Sequence, residues 1–84
     1  MFAVTIASEL YGDTIGVGRG IDELGLLVDM CYVPPKDTVV RVVFVNYDEP
    51  RASMTATASS CGMVGESVLL RFIAFDDTIP AVNA

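Results

Sequence analysis

No apolar repeat at helical spacing lasts for three turns in this chain, whereas period-two runs rich in β-branched and aromatic residues recur along it. Side chains alternate between the two faces of a strand, so each run predicts a strand with one face turned to a core. Phe2 to Leu10 reads as the first, with Val4, Ile6 and Leu10 on one face, and Gly12-Asp13 as the turn after it. Thr14 to Ile21 reads as the second. Ile15, Val17, Arg19 and Ile21 alternate there with Thr14, Gly16, Gly18 and Gly20. Glycine weakens a strand unless another group packs close or the sheet bends, so this glycine face predicts a coiled strand at a barrel corner.

Leu26 to Cys31 reads as a third strand. Val33-Pro34-Pro35-Lys36-Asp37 must connect, because two prolines have no place in a central ladder. Thr38 to Asn46 is the clearest strand, with Val40, Val42 and Phe44 opposite Val39, Arg41, Val43 and Val45. After Tyr47 to Pro50, Arg51 to Ser60 forms a small-residue strand in which Met54, Ala56 and Ala58 alternate with Thr55 and Thr57. Cys61 to Glu66 is read as a turn, and Ser67 to Phe75 closes the set with Val68, Leu70 and Phe72 on one face. Six strands at roughly ten-residue spacing predict one all-β domain over residues 1–84, a small six-stranded antiparallel barrel. Closure is favoured because it removes the edges that such hydrophobic strands would expose. The tail from Thr78 to Ala84, interrupted by Pro80, is too short for a substantial C-terminal helix.

An apolar fraction of 52% fills a core without a metal or disulfide and leaves apolar surface for a partner. Five basic residues against eleven acidic ones give a net charge of −6, which repels phosphates and disfavours nucleic-acid binding. Arg19, Lys36, Arg41, Arg51 and Arg71 are scattered singly. No segment approaches the ~18 apolar residues of a membrane span, and Met1 to Leu10 lacks the pattern of a signal peptide, so a cytoplasmic protein without membrane insertion is expected. Cys31 and Cys61 then read as free, half-buried thiols.

The chemistry available to these residues is thin. With no histidine, every His-dependent triad or dyad is ruled out, and so is a structural zinc site. No basic neighbour stabilises a Cys31 thiolate, and Cys61 reads as a small filler at a Gly-flanked turn. The acidic pairs Asp22-Glu23, Asp48-Glu49 and Asp76-Asp77 each fall at an expected turn, where solvation accounts for them. Gly16 to Gly20 has the glycines of a phosphate loop, but a strand runs through them and no helix follows. The chain is expected to be no enzyme, with no catalytic residue, cofactor or metal.

Three stretches carry a resemblance. Gly20-Ile21-Asp22-Glu23-Leu24-Gly25-Leu26-Leu27-Val28 resembles the second-strand turn of PilZ domains, roughly Asp/Asn-x-Ser-x-x-Gly before apolar residues. Val33 to Phe44 resembles the next PilZ connection and strand, and Val68-Leu69-Leu70-Arg71-Phe72 the closing strand. Together they span about Gly20 to Phe75. The resemblance implies a six-stranded barrel in bacterial signalling, where many members bind cyclic di-GMP through an Arg-x-x-x-Arg pair ahead of the first strand. An arginine fork suits phosphate and its flat face suits guanine. Here no arginine precedes Arg19, and no Arg-x-x-x-Arg occurs. Of the second motif only Gly25 is kept, with Gly20 at its first position and Asp22 at its third, where a carboxylate repels phosphate.

The leading expectation is therefore a PilZ-like adaptor: a module working through protein contacts, without cyclic di-GMP. The resemblance links such members to type IV pilus and motility control. Two alternatives stand beside it. One is a cyclic di-GMP receptor with atypical ligands drawn from Arg19, Arg51 or Arg71, near Asp22 and Gly25. The other is an unrelated structural barrel. A protein partner is expected, a second copy of the chain among the candidates, with Tyr32, Tyr47 and Phe75 near strand ends as anchoring aromatics.

Overall fold

The computed structural model describes residues 1–44 and 54–75. Six strands follow in chain order: β1 Phe2–Ser8, β2 Gly12–Ile21, β3 Gly25–Asp29, β4 Val39–Phe44, β5 Met54–Val64 and β6 Ser67–Phe75. All pairings are antiparallel, and the order β1-β2-β3-β6-β5-β4 closes on itself through β4 and β1. The expected all-β barrel of six strands is the observed one. Closure gives every strand a partner on both sides over part of its length, which suits a chain this rich in valine and isoleucine.

The core is the inward face of each alternating run. Val4 and Ile6 of β1, Leu26 and Val28 of β3, Val40 and Val42 of β4, Ala58 of β5, and Val68 and Leu70 of β6 form one buried cluster. Phe2, Met30, Phe44 and Phe72 pack against it. The aliphatic side chains supply the bulk of the stabilisation, at roughly 1.5–3 kcal/mol for each one fully buried.

The glycine face of β2 turns inward. Phe2 lies directly over Gly18, so a side chain at Gly18 would collide with the Phe2 ring, and Ile15, Val17 and Ile21 face solvent instead. Between Gly18 and Gly20 the pairing with β3 slips by one residue, leaving Arg19 as the extra position of a bulge. A bulge of this kind sharpens the bend of the strand, as the corner expectation required.

Several boundaries differ from the sequence reading. β1 ends at Ser8, and the turn is Glu9 to Tyr11, with Gly12 already paired to Ser8. The Ser8 hydroxyl accepts from the Leu10 and Tyr11 amides, fixing that turn. Leu10 is consequently 82% exposed, outside the core face assigned to it. β5 runs on through Cys61 and Gly62 to Val64, absorbing one extra residue in a second bulge, so the turn before β6 shrinks to Gly65 and Glu66. Met54 is exposed, whereas Ala56 and Ala58 are buried, and so is Thr55 from the alternate set. The two-proline connection lies against β5: the Ser60 hydroxyl donates to the Pro34 carbonyl at 2.9 Å, and the Asp37 amide donates to the Ser60 carbonyl at 2.7 Å. The readings of Val45, the turn at Tyr47 to Pro50, the start of the fifth strand at Arg51 and the tail from Thr78 fall outside the described residues.

Candidate functional site

The bulge that pushes Arg19 outward also sets its partner. Its Nε donates to Asp29 Oδ2 at 2.6 Å, and its guanidinium reaches the Met1 sulfur at 2.8 Å. From β6, the Ser67 hydroxyl donates to Asp29 Oδ1, also at 2.6 Å. The bond from Ser67 and then that from Arg19 hold the Asp29 carboxyl below its ordinary range. Arg19, Asp29 and Ser67 thus form a polar clasp across β2, β3 and β6. It carries no acid–base chemistry: a carboxylate with a lowered pKa is a poor base for the serine that donates to it.

Asp22 and Gly25 have local duties in the β2–β3 loop. Asp22 Oδ1 accepts from the amides of Leu24 at 2.8 Å and Gly25 at 3.0 Å, an Asx-type turn that shapes the loop. Gly25 is buried where β3 crosses close to β6; a Cβ there would stand 2.6 Å from the Leu70 carbonyl oxygen. Both residues border a groove of about 440 Å³ on the outer wall. Its floor is the cross-strand pair Leu27 and Leu69. Ile21, Leu24, Val64 and Arg71 also line it. Leu24 is 69% exposed and Val64 51%. The walls are apolar, and Asp22 and Arg71 are the charged residues among them.

The structure therefore brings Asp22, Gly25 and Arg71 to one groove, while Arg19 is held in the clasp. Arg51 and Tyr47 lie outside the described residues. Tyr32 and Phe75 stand at opposite ends of the barrel. Tyr32 packs on Tyr11 with ring centroids 5.3 Å apart, and Phe75 on Phe72 at 4.6 Å. Tyr32 is half-buried, and burial, helped by the nearby Cys31, pushes its hydroxyl pKa up. Ser8 acts on that hydroxyl in the opposite sense, yet no hydrogen bond of good geometry joins them, so Tyr32 Oη is buried without a partner, as is Thr55 Oγ1. Phe75 remains about half exposed.

Both cysteines are free. Cys61 is half-buried, as read, but Cys31 is exposed and its sulfur lies 3.1 Å from Thr14 Oγ1; the strand that was to shelter it ends at Asp29. Among the described residues no group of three or more His, Cys, Asp or Glu side chains is placed to hold a metal ion. No helix among them is long and apolar enough to cross a membrane.

The groove leucines escaped the sequence reading, although a signal for them exists. Leu26-Leu27 and Leu69-Leu70 are doubled leucines inside alternating strands, so one of each pair must face outward. Leu27 and Leu69 are those two. No protein-family model matches the chain, and neither does any curated protein or solved structure.

Proposed function

We propose that the protein is a non-enzymatic interaction module that works through protein contacts on the outer wall of its barrel and does not bind cyclic di-GMP. The observation that carries this reading is the apolar groove of Leu27, Leu69, Ile21, Leu24 and Val64, open to solvent on a molecule of net charge −6. A contiguous apolar recess on the outside of a small barrel marks an interaction surface, whereas single exposed apolar residues do not.

The same geometry weakens the receptor alternative. Arg19 is committed to Asp29, and Asp22 places a carboxylate at the groove where a phosphate would have to lie. Among the described residues Arg71 is the one cation lining the groove, and one guanidinium does not offset that carboxylate for a dianionic nucleotide. A place in bacterial signalling, and in type IV pilus or motility control, follows from the PilZ resemblance and belongs to this proposal as its finer part. Calorimetric titration with cyclic di-GMP at low salt tests the reading. No heat is expected up to about 100 μM ligand, and saturable binding at micromolar affinity would overturn it.

A further inference from the structure

We infer that the groove is the seat of a two-fold contact with a second copy of the chain, its axis running along the outer side of β3. This inference rests on the interaction-module reading and names the partner.

Two rows of residues across β2, β3 and β6 carry it. The first row is apolar. Gly20 is paired with Leu27, and Leu27 with Leu69. Directly paired residues share a face, so the three stand side by side on the outer wall, where all of them line the groove. A Cβ built on Gly20 meets no atom within 4 Å, so the glycine leaves a notch at one end of the row while Leu69 stands at the other. In a two-fold contact, what a molecule presents on one side of the axis it receives on the other. An axis over Leu27 therefore brings Leu27 against its own copy and seats the Leu69 of each molecule over Gly20 of the other.

The second row is charged. Gly25, two residues before Leu27 on β3, is paired with Arg71 on β6. On its other side the Asp22 amide donates to the Gly25 carbonyl at 3.0 Å. Asp22 and Arg71 thus flank the strand that carries Leu27, and the same axis sets Asp22 of each molecule against Arg71 of the other. Among the described residues neither is held in an ion pair within its own chain. Asp29 also lies close to the axis, but Arg19 balances its charge at 2.6 Å. Leu24 and Val64, both exposed at the groove, extend the apolar surface around the two rows.

An unrelated partner would require no such symmetry. One axis that matches knob to notch in one row and carboxylate to guanidinium in the other is what favours a second copy.

Sedimentation equilibrium between about 10 μM and about 1 mM protein, in roughly 0.15 M salt, should show a reversible monomer–dimer equilibrium. Gly20→Val fills the notch where no neighbour is strained and should weaken dimerisation about tenfold or more. Arg71→Glu, which sets acidic groups face to face twice, should weaken it by a similar factor. Asp22→Lys should do the same, yet an equimolar mixture of Arg71→Glu and Asp22→Lys should form heterodimers, because opposite charges then meet in both pairs. Ile15→Ser, at a residue 72% exposed on β2 and outside the groove lining, should leave dimerisation unchanged within about twofold. Melting curves in dilute solution check that each variant folds. If Asp22→Lys does not, having lost the two amide bonds its carboxylate accepts, Gly20→Val and Arg71→Glu still decide. A parent chain that stays monomeric throughout, Gly20→Val or Arg71→Glu dimerising like the parent, or equal loss with Ile15→Ser would each overturn the inference. If the chain is monomeric and cyclic di-GMP gives no heat, the inference falls and the module reading stands. Dimerisation that requires cyclic di-GMP would overturn both.

Discussion

Gly25 shows how one residue can couple the site to the fold. It lets β3 approach β6 so closely that a methyl group would press on the Leu70 backbone, which has no rotamer by which to give way. Gly25→Ala should cost about 1–3 kcal/mol in chemical denaturation. Gly20→Ala, five residues earlier on an open stretch, should stay within about 0.5 kcal/mol. Asp29 provides a second test at this scale. Its folded pKa is lowered, chiefly by the Ser67 hydroxyl and then by Arg19, while the unfolded chain titrates near ~4. A depressed folded value means that the clasp stabilises above the unfolded pKa and loses that effect as pH falls through the folded one. Melting temperature should therefore drop less steeply below pH ~4 in Asp29→Asn than in the parent chain. Identical acid limbs would show that the clasp contributes nothing.

At the scale of elements, one side-chain hydroxyl joins the backbone bond from Asp37 in holding the two-proline connection. Ser60 is buried, donates to the Pro34 carbonyl and accepts from the Gly62 amide at 3.2 Å, so it joins the connection to the bulge in β5. Ser60→Ala strands both partners and should cost about 1–2 kcal/mol, measured by denaturant midpoint. The described part of the fourth strand, Val39–Phe44, and the first half of Ser67–Phe75 were legible in the sequence because alternation holds there: Val40, Val42, Val68 and Leu70 are buried where the period puts them, whereas a register shift near Ile73 ends the alternation in β6. The failures cluster where alternation slips. Leu10 fits the period but follows the Ser8 turn, which a side-chain hydroxyl fixes from within the chain. Cys61 and Gly62 look like a turn by composition, yet a bulge carries the strand through them. Period-two reasoning has no term for one inserted residue.

At the scale of the whole molecule, closure decides what the surface can do. With every strand flanked by two others, the groove of β2, β3 and β6 gathers apolar side chains on the outer wall beside Asp22 and Arg71. Part of this was legible: Arg19, Asp22, Gly25 and Arg71 were singled out from the chain, and three of the four border the groove. The Arg19 clasp was not, because Asp29 and Ser67 are distant in sequence and meet only through the β2–β3–β6 register. Methyl-resolved NMR of the labelled protein, titrated with cyclic di-GMP, tests the central claim most directly. The account predicts that the nucleotide moves none of the methyl signals of Leu24, Leu27, Val64 and Leu69. Nucleotide-induced shifts at those four residues would contradict it.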